Sequence, residues 1–193
     1  RALKPVQLVL TDEGLNGLRA HLVNETAAPI EATLHLFCLR DGATKVMNAE
    51  RAVTLAPRAT QTLDATALWG GFFDTTYSYR FGPPSHDATV GQLVGADGAL
   101  LAEAFHFPLG RGNCVHELGL TARALRCGDD FALEISAQRL AQSVHILDPH
   151  FETEDNWFHL PPGAARRRLS AVTRRLDAPL RVAARSTVTS SRV

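Results

Sequence analysis

Cysteine, lysine, aromatic residues and net charge are all in short supply in this chain. Three cysteines, Cys38, Cys114 and Cys127, occur in 193 residues, with no CxxC pair and no His pair at zinc spacing. The usual sequence signs of a zinc site are therefore missing. Cys38 lies within the apolar run Leu34 to Leu39 and reads as a small buried hydrophobe. Cys114 and Cys127 could close across a hairpin, but Cys127 stands in a turn sequence, so free thiols are the expectation. Twenty basic side chains balance 20 acidic ones, which leaves no net basic field to displace counterions from a nucleic acid. No apolar run reaches the roughly 18 residues that cross a bilayer as a helix, so no membrane partner is expected. No basic-then-apolar leader reports secretion, and cytoplasm and periplasm both stay open. The first residue is Arg1 rather than Met, as expected of a processed product or an excised fragment.

Hydrophobic residues make up 45% of the chain, enough to build a core in one large domain or two small ones. Turn signals recur at the spacing of short antiparallel strands. Thr11-Asp12-Glu13-Gly14, Arg40-Asp41-Gly42, Gly95-Ala96-Asp97-Gly98 and Cys127-Gly128-Asp129-Asp130 all read as tight reversals. Between them the residues alternate: Leu18, Ala20 and Leu22 share one face, the predicted core face of a strand. Ile30 to Leu39 alternates less cleanly, as a strand covered on both faces does. Tyr77 to Phe81, Thr89 to Val94 and Leu100 to Phe107 complete a first strand-rich set. The Gly- and Pro-bearing stretch Phe107 to Asn113 interrupts the pattern and reads as a boundary. Strands then resume at Leu118 to Arg126, Phe131 to Ser136, Ser143 to Leu147, Asn156 to Leu160, Arg166 to Thr173 and Leu180 to Thr189. Helix signals are thin, a single turn each at Ala65 to Trp69 and Ala137 to Gln142. The expected fold is all-β, two tandem immunoglobulin-like sandwiches over residues 1–107 and 108–193.

That organisation excludes a barrel of eight strand–helix units, which takes about 250 residues. Gly70-Gly71 lacks the rest of a dinucleotide fingerprint, and no GxSxG elbow is present. Cys114 followed by His116 is not a recognised nucleophile pair. The acidic stretch from Asp148 to Asn156 carries Glu152, Glu154 and Asp155, but lacks the glycine and spacing of a calcium loop, so a solvated loop is expected. His145, His150 and His159 form no ligand pair and read as surface or half-buried. Arg166-Arg167-Arg168 suits a strand at a solvated sheet edge. No catalytic residue, metal site or cofactor is assigned.

Aromatic residues beside turns are the remaining signal. Trp69, Phe72 and Phe73 flank Gly70-Gly71, and Trp157-Phe158 follow the acidic loop. The simplest reading has one tryptophan plugging each sandwich core. If exposed, the same residues offer a docking patch or a stacking platform for sugar rings. Asp74 and Arg80 bracket a strand-like run with Tyr77 and Tyr79 on one face, suited to a partly polar domain interface. The candidate contact residues are therefore Trp69, Phe72, Tyr79, Arg80 and Trp157.

Two stretches carry a family likeness. The run from Trp69 to Asp87, with Tyr79-Arg80-Phe81-Gly82-Pro83-Pro84 inside it and Glu103-Ala104-Phe105-His106-Phe107-Pro108 after it, resembles the first post-barrel sandwich of β-mannosidases in glycoside hydrolase family 2. The run Asp155-Asn156-Trp157-Phe158-His159-Leu160-Pro161-Pro162-Gly163 resembles the aromatic-bearing DN…PGE stretch of their C-terminal immunoglobulin-like domain, with Ala164 standing where the family has Glu. The resemblance implies a parent that removes terminal β-D-mannose with retention, using two glutamates of a barrel that this chain does not contain. It implies an upstream catalytic barrel of the same polypeptide as partner, and an inert accessory role for this part. Two alternatives stay open: an independent sandwich module that binds mannose-containing glycans, and an adhesion-type sandwich that binds protein by strand addition.

Overall fold

The computed structural model describes residues 4–80, 82–111, 117–127, 130–147, 155–163, 165–170, 181–185 and 191–192. It divides into two compact units, Arg1–Arg40 with Thr44–Leu109, and Asp41–Ala43 with Gly110–Val193. Strands dominate both, and among the described residues no helix is long and apolar enough to cross a membrane. The all-β fold class is as the turn spacing indicated.

In the first unit the strands are β1 (Val6–Asp12), β2 (Leu18–Asn24), β3 (Ile30–Arg40), β4 (Thr44–Leu55), β5 (Ala59–Asp64), β6 (Ala88–Gly95) and β7 (Leu100–His106), with one short helix, α1 (Ala65–Trp69), after β5. They form two antiparallel sheets, ordered β1-β2-β5 and β4-β3-β6-β7. Strict alternation along β2 buries Leu18, Ala20 and Leu22 to 1%, 0% and 0% exposure. Leu22 packs with Leu8, Leu34, Val53, Leu55 and Leu93, drawn from both sheets, which makes this the sandwich core. Each such leucine contributes about 2 kcal/mol of burial. Sheet separation is tight at Gly91, where a Cβ would stand 2.9 Å from Leu8 Cδ2. In β3 the burial alternates as far as Leu36, and Phe37, Cys38 and Leu39 are then buried in succession.

The second unit holds β8 (Thr121–Cys127), β9 (Asp130–Ser136), β10 (Ala141–Leu147), β11 (Phe158–Leu160), β12 (Ala165–Ser170), β13 (Arg181–Arg185) and β14 (Ser191–Arg192). Its sheets run β12-β9-β8 and β11-β10-β13-β14. This is the topology of the first unit repeated: β8-β9-β12 answers to β1-β2-β5, and β11-β10-β13-β14 to β4-β3-β6-β7. Its core gathers Leu118, Leu120, Leu133, Ile135, Val144, Ile146, Phe158 and Leu160. Strand β12, which carries Arg166 to Arg168, lies at a sheet edge.

Several expectations need correction. The expected strand Tyr77 to Phe81 does not form over its described residues, Tyr77 to Arg80: Ser78–Arg80 forms a 3-10 turn, closed by Arg80 N donating to Tyr77 O at 2.9 Å, and Phe81 lies outside the described residues. The cause is Asp74, whose Oδ1 accepts from Thr76 N at 3.1 Å and Tyr77 N at 2.8 Å and folds the chain back. Ala137 to Gln142 is not a helical turn. Gln138 N and Arg139 N both donate to Leu118 O, and Gly163 N donates to Ala137 O, so this backbone is tied to other segments before β10 begins. His159 is buried at 7% exposure, not superficial, and its Nδ1 accepts from Ser143 N at 3.0 Å. Strands β1, β4 and β5 lay outside the expected set. β4 is an edge strand with many exposed positions, so its apolar alternation is weak. The possible Cys114–Cys127 bridge, His150, Ala164 and the acidic loop from Asp148 to Glu154 lie outside the described residues or their described side chains.

Candidate functional site

The residues from Asp64 to Arg80 build the site, and the turn between β1 and β2 completes it. α1 ends at Trp69 because Gly70 takes a left-handed conformation, φ 68°, which glycine adopts without steric cost. Beyond it the chain runs irregularly to the Asp74 turn. Thr76 Oγ1 then donates to Gly14 O at 2.9 Å, fastening this segment to the 3-10 turn Gly14–Asn16. Gly17, at φ 78°, lets Thr75 approach: a Cβ there would stand 3.4 Å from Thr75 Oγ1.

Between the two segments lies a pocket of about 750 Å³, lined by Leu15, Asn16, Gly17, Arg19, Asp64, Thr66, Ala67, Phe72 to Tyr77 and Arg80. Its volume falls in the range of small-ligand and side-chain-accepting clefts. Arg19 and Asp64 face each other in the β2–β5 register and pair at 2.8 Å between Nε and Oδ1. Both are substantially exposed, so the pair fixes geometry more than it stabilises. Arg80 lies over the Tyr77 ring at 4.2 Å and over the Tyr79 ring at 6.0 Å. A hydrogen bond with Tyr79 raises the guanidinium pKa above its ordinary value. Two arginines and two aspartates thus surround the pocket, and both carboxylates already have partners in the fold.

Beneath the segment sits a histidine pair. His86 is buried at 1% exposure, with Nδ1 3.0 Å from Ser85 Oγ and its ring 5.3 Å from that of Phe73. Burial, then repulsion from His106, pushes its pKa down to about 4 against hydrogen bonding to the Thr75 backbone. Burial also lowers His106, against the opposing pull of Asp12, whose Oδ2 lies 3.6 Å from His106 Nε2. No group of three or more potential metal ligands occurs among the described residues.

Of the candidate contact residues, Phe72 and Arg80 line the pocket, and Tyr79 joins it through Arg80. Trp69 turns inward, packing against the cluster of Leu18, Leu36 and Ala65 and edge-on to Phe73 at 5.6 Å. Trp157 belongs to the second unit. It does not plug a core: it is 54% exposed, takes φ 60°, and stacks on His145 at 4.0 Å. Phe158 beside it takes the core position at 0% exposure. Asn156 sets this turn, accepting from Ile146 N and Trp157 N through Oδ1 and donating to Ile146 O. Leu15, Arg19 and Asp64 were not singled out by sequence. Only the turn signal at Gly14 pointed toward them, because the site forms from strands paired across the sheet.

No protein-family model matches the chain, and no curated protein matches it. Solved structures do. The β-D-mannosidase of Dictyoglomus thermophilum aligns over 90% of this chain and 20% of its own, at 15% identity and a TM-score of 0.71. The exo-chitosanase CsxA of Amycolatopsis orientalis aligns over 100% of this chain and 27% of its own, at 12% identity and a TM-score of 0.67. The chain spans only about a fifth to a quarter of these glycosidases, and the likeness establishes that it has the fold of that part of them.

Proposed function

We propose that this chain is a non-catalytic accessory region of a larger β-mannosidase-like hydrolase of glycoside hydrolase family 2. In this reading its two units are tandem immunoglobulin-like domains that pack against the catalytic barrel of the same polypeptide. The observation that carries the reading is the asymmetry of the structural likeness: nearly all of this chain matches a small share of two glycosidases, a β-D-mannosidase and an exo-chitosanase. The strand count supports it, since each unit pairs a three-stranded with a four-stranded sheet, as seven-stranded immunoglobulin-type sandwiches do. The pocket chemistry supports it as well. Retaining hydrolysis needs an acid and a nucleophile free to act on the sugar, whereas Asp64 is paired with Arg19 and Asp74 caps a turn.

The test is enzymatic. The native polypeptide that carries this sequence, captured by antibody, should release nitrophenol from an aryl β-D-mannoside, and the 193-residue chain alone should release none. Release by the 193-residue chain alone would refute the accessory role. A carbohydrate-binding module is the second reading, favoured by the exposed Trp157 stacked on His145. Saturable quenching of tryptophan fluorescence by mannosides, lost in Trp157→Ala, would decide for it.

A further inference from the structure

Leu15 and Phe72 are the most exposed large hydrophobic side chains among the described residues, at 92% and 83%. Both stand on the same pocket. Isolated exposed hydrophobics are ordinary, but two at the mouth of one cavity mark an interaction surface. Arg80 faces the same pocket, held over Tyr77, and no carboxylate pairs with it among the described residues. An arginine over a tyrosine ring beside an exposed phenylalanine has the aromatic and arginine composition enriched at interfaces. A saccharide has less use for the aliphatic Leu15. The chain matched by the mannosidase fold is only 20% of that enzyme, so most of such a polypeptide lies outside these residues.

We infer that this pocket is the face on which the catalytic body of the parent polypeptide seats. That body presents an apolar side chain between Leu15 and Phe72 and a carboxylate to Arg80. The inference rests on the family reading above and adds to it the docking face and its chemistry. Tyr79 and Asp74 act as positioning residues: the Tyr79 ring lies 6.0 Å from the Arg80 guanidinium, and Asp74 holds the turn that carries it.

The experiment uses the full-length parent with single cysteines introduced at Ala67→Cys, in the pocket wall, and Ala96→Cys, in the exposed β6–β7 turn. Maleimide modification is followed site by site with peptide mass spectrometry, and thermal midpoints verify folding. Modification at position 67 should run at least about tenfold slower than at 96, because it waits for the interface to open. Adding Arg80→Glu should bring the two rates together. Equal rates in an active parent overturn the docking face and leave the family reading standing. Protection that survives Arg80→Glu overturns the carboxylate pairing. Protection that appears only with added methyl β-D-mannoside overturns docking in favour of a sugar pocket. A native polypeptide no longer than this chain overturns the family reading itself.

Discussion

Acid should loosen the first unit through His86. Its ring is buried at 1% exposure, and burial together with His106 pushes its pKa down to about 4. In the unfolded chain the same group titrates near the ordinary value of about 6.5. Because the folded pKa is depressed, the stability is fully present above about pH 6.5 and is lost as the pH falls toward about 4, where the unfolded chain takes up the proton first. The full gap corresponds to about 3 kcal/mol, of which about 2 kcal/mol falls between about pH 7 and about pH 5. That is a large part of the 5–15 kcal/mol typical of a domain. Urea titrations at the two pH values, at matched ionic strength, should show the first unit's midpoint dropping on the order of 1 M. His86→Phe keeps a ring against Phe73 and removes the proton, so most of this drop should vanish. His106 also lies in the pair, held below its ordinary pKa by burial, and accounts for any remainder. A midpoint that falls equally in His86→Phe, or that does not move in the parent sequence, would refute the reasoning.

Three further outcomes follow from particular contacts. Asn24 is buried, with Nδ2 donating to Ala28 O, Leu55 O and Ala56 O and Oδ1 accepting from Thr26. Asn24→Ala should therefore cost about 2–3 kcal/mol in denaturant titration, and a loss below about half a kcal/mol would mean that water replaces the amide. Cys38 is buried, and burial pushes its thiol up to about 12 against the hydrogen bond to Thr89. Site-resolved thiol labelling at neutral pH should leave it unmodified until denaturant is added, and rapid native labelling would contradict its placement. Trp157 holds φ 60°, so Trp157→Gly should be about 1 kcal/mol more stable than Trp157→Ala, and equal stabilities would place that backbone elsewhere.

How much of this was legible in the sequence depends on how locally each feature is encoded. Leu18, Ala20 and Leu22 announced their face because strand periodicity is written in adjacent residues. The reversals at Arg40 to Gly42 and Gly95 to Gly98 were legible for the same reason: turn chemistry belongs to the turn itself. The edge strand β4 was not, since most of its positions are exposed and leave few apolar residues to alternate. Tyr77 to Arg80 misled because its aromatic alternation mimics a strand, while the side chain of Asp74 folds the backbone another way. Phe72 was proposed as an aromatic beside glycines, and Tyr79 and Arg80 from a strand-like run that is a turn in the structure. Their pocket partners Leu15 and Arg19 came from a distant turn and strand, a juxtaposition that only the β1–β2–β5 pairing creates. Trp157 was expected inside a core on size alone. Its neighbour Phe158 took that place once the Asn156 turn set the register of β11.

The central claim is that these residues belong to a longer hydrolase, and the size of the native polypeptide tests it most directly. An antibody raised against the chain would be used to blot a lysate of the source organism. The account predicts a band several times larger than 20.9 kDa, with the catalytic barrel on the same polypeptide. A band at 20.9 kDa alone would contradict it.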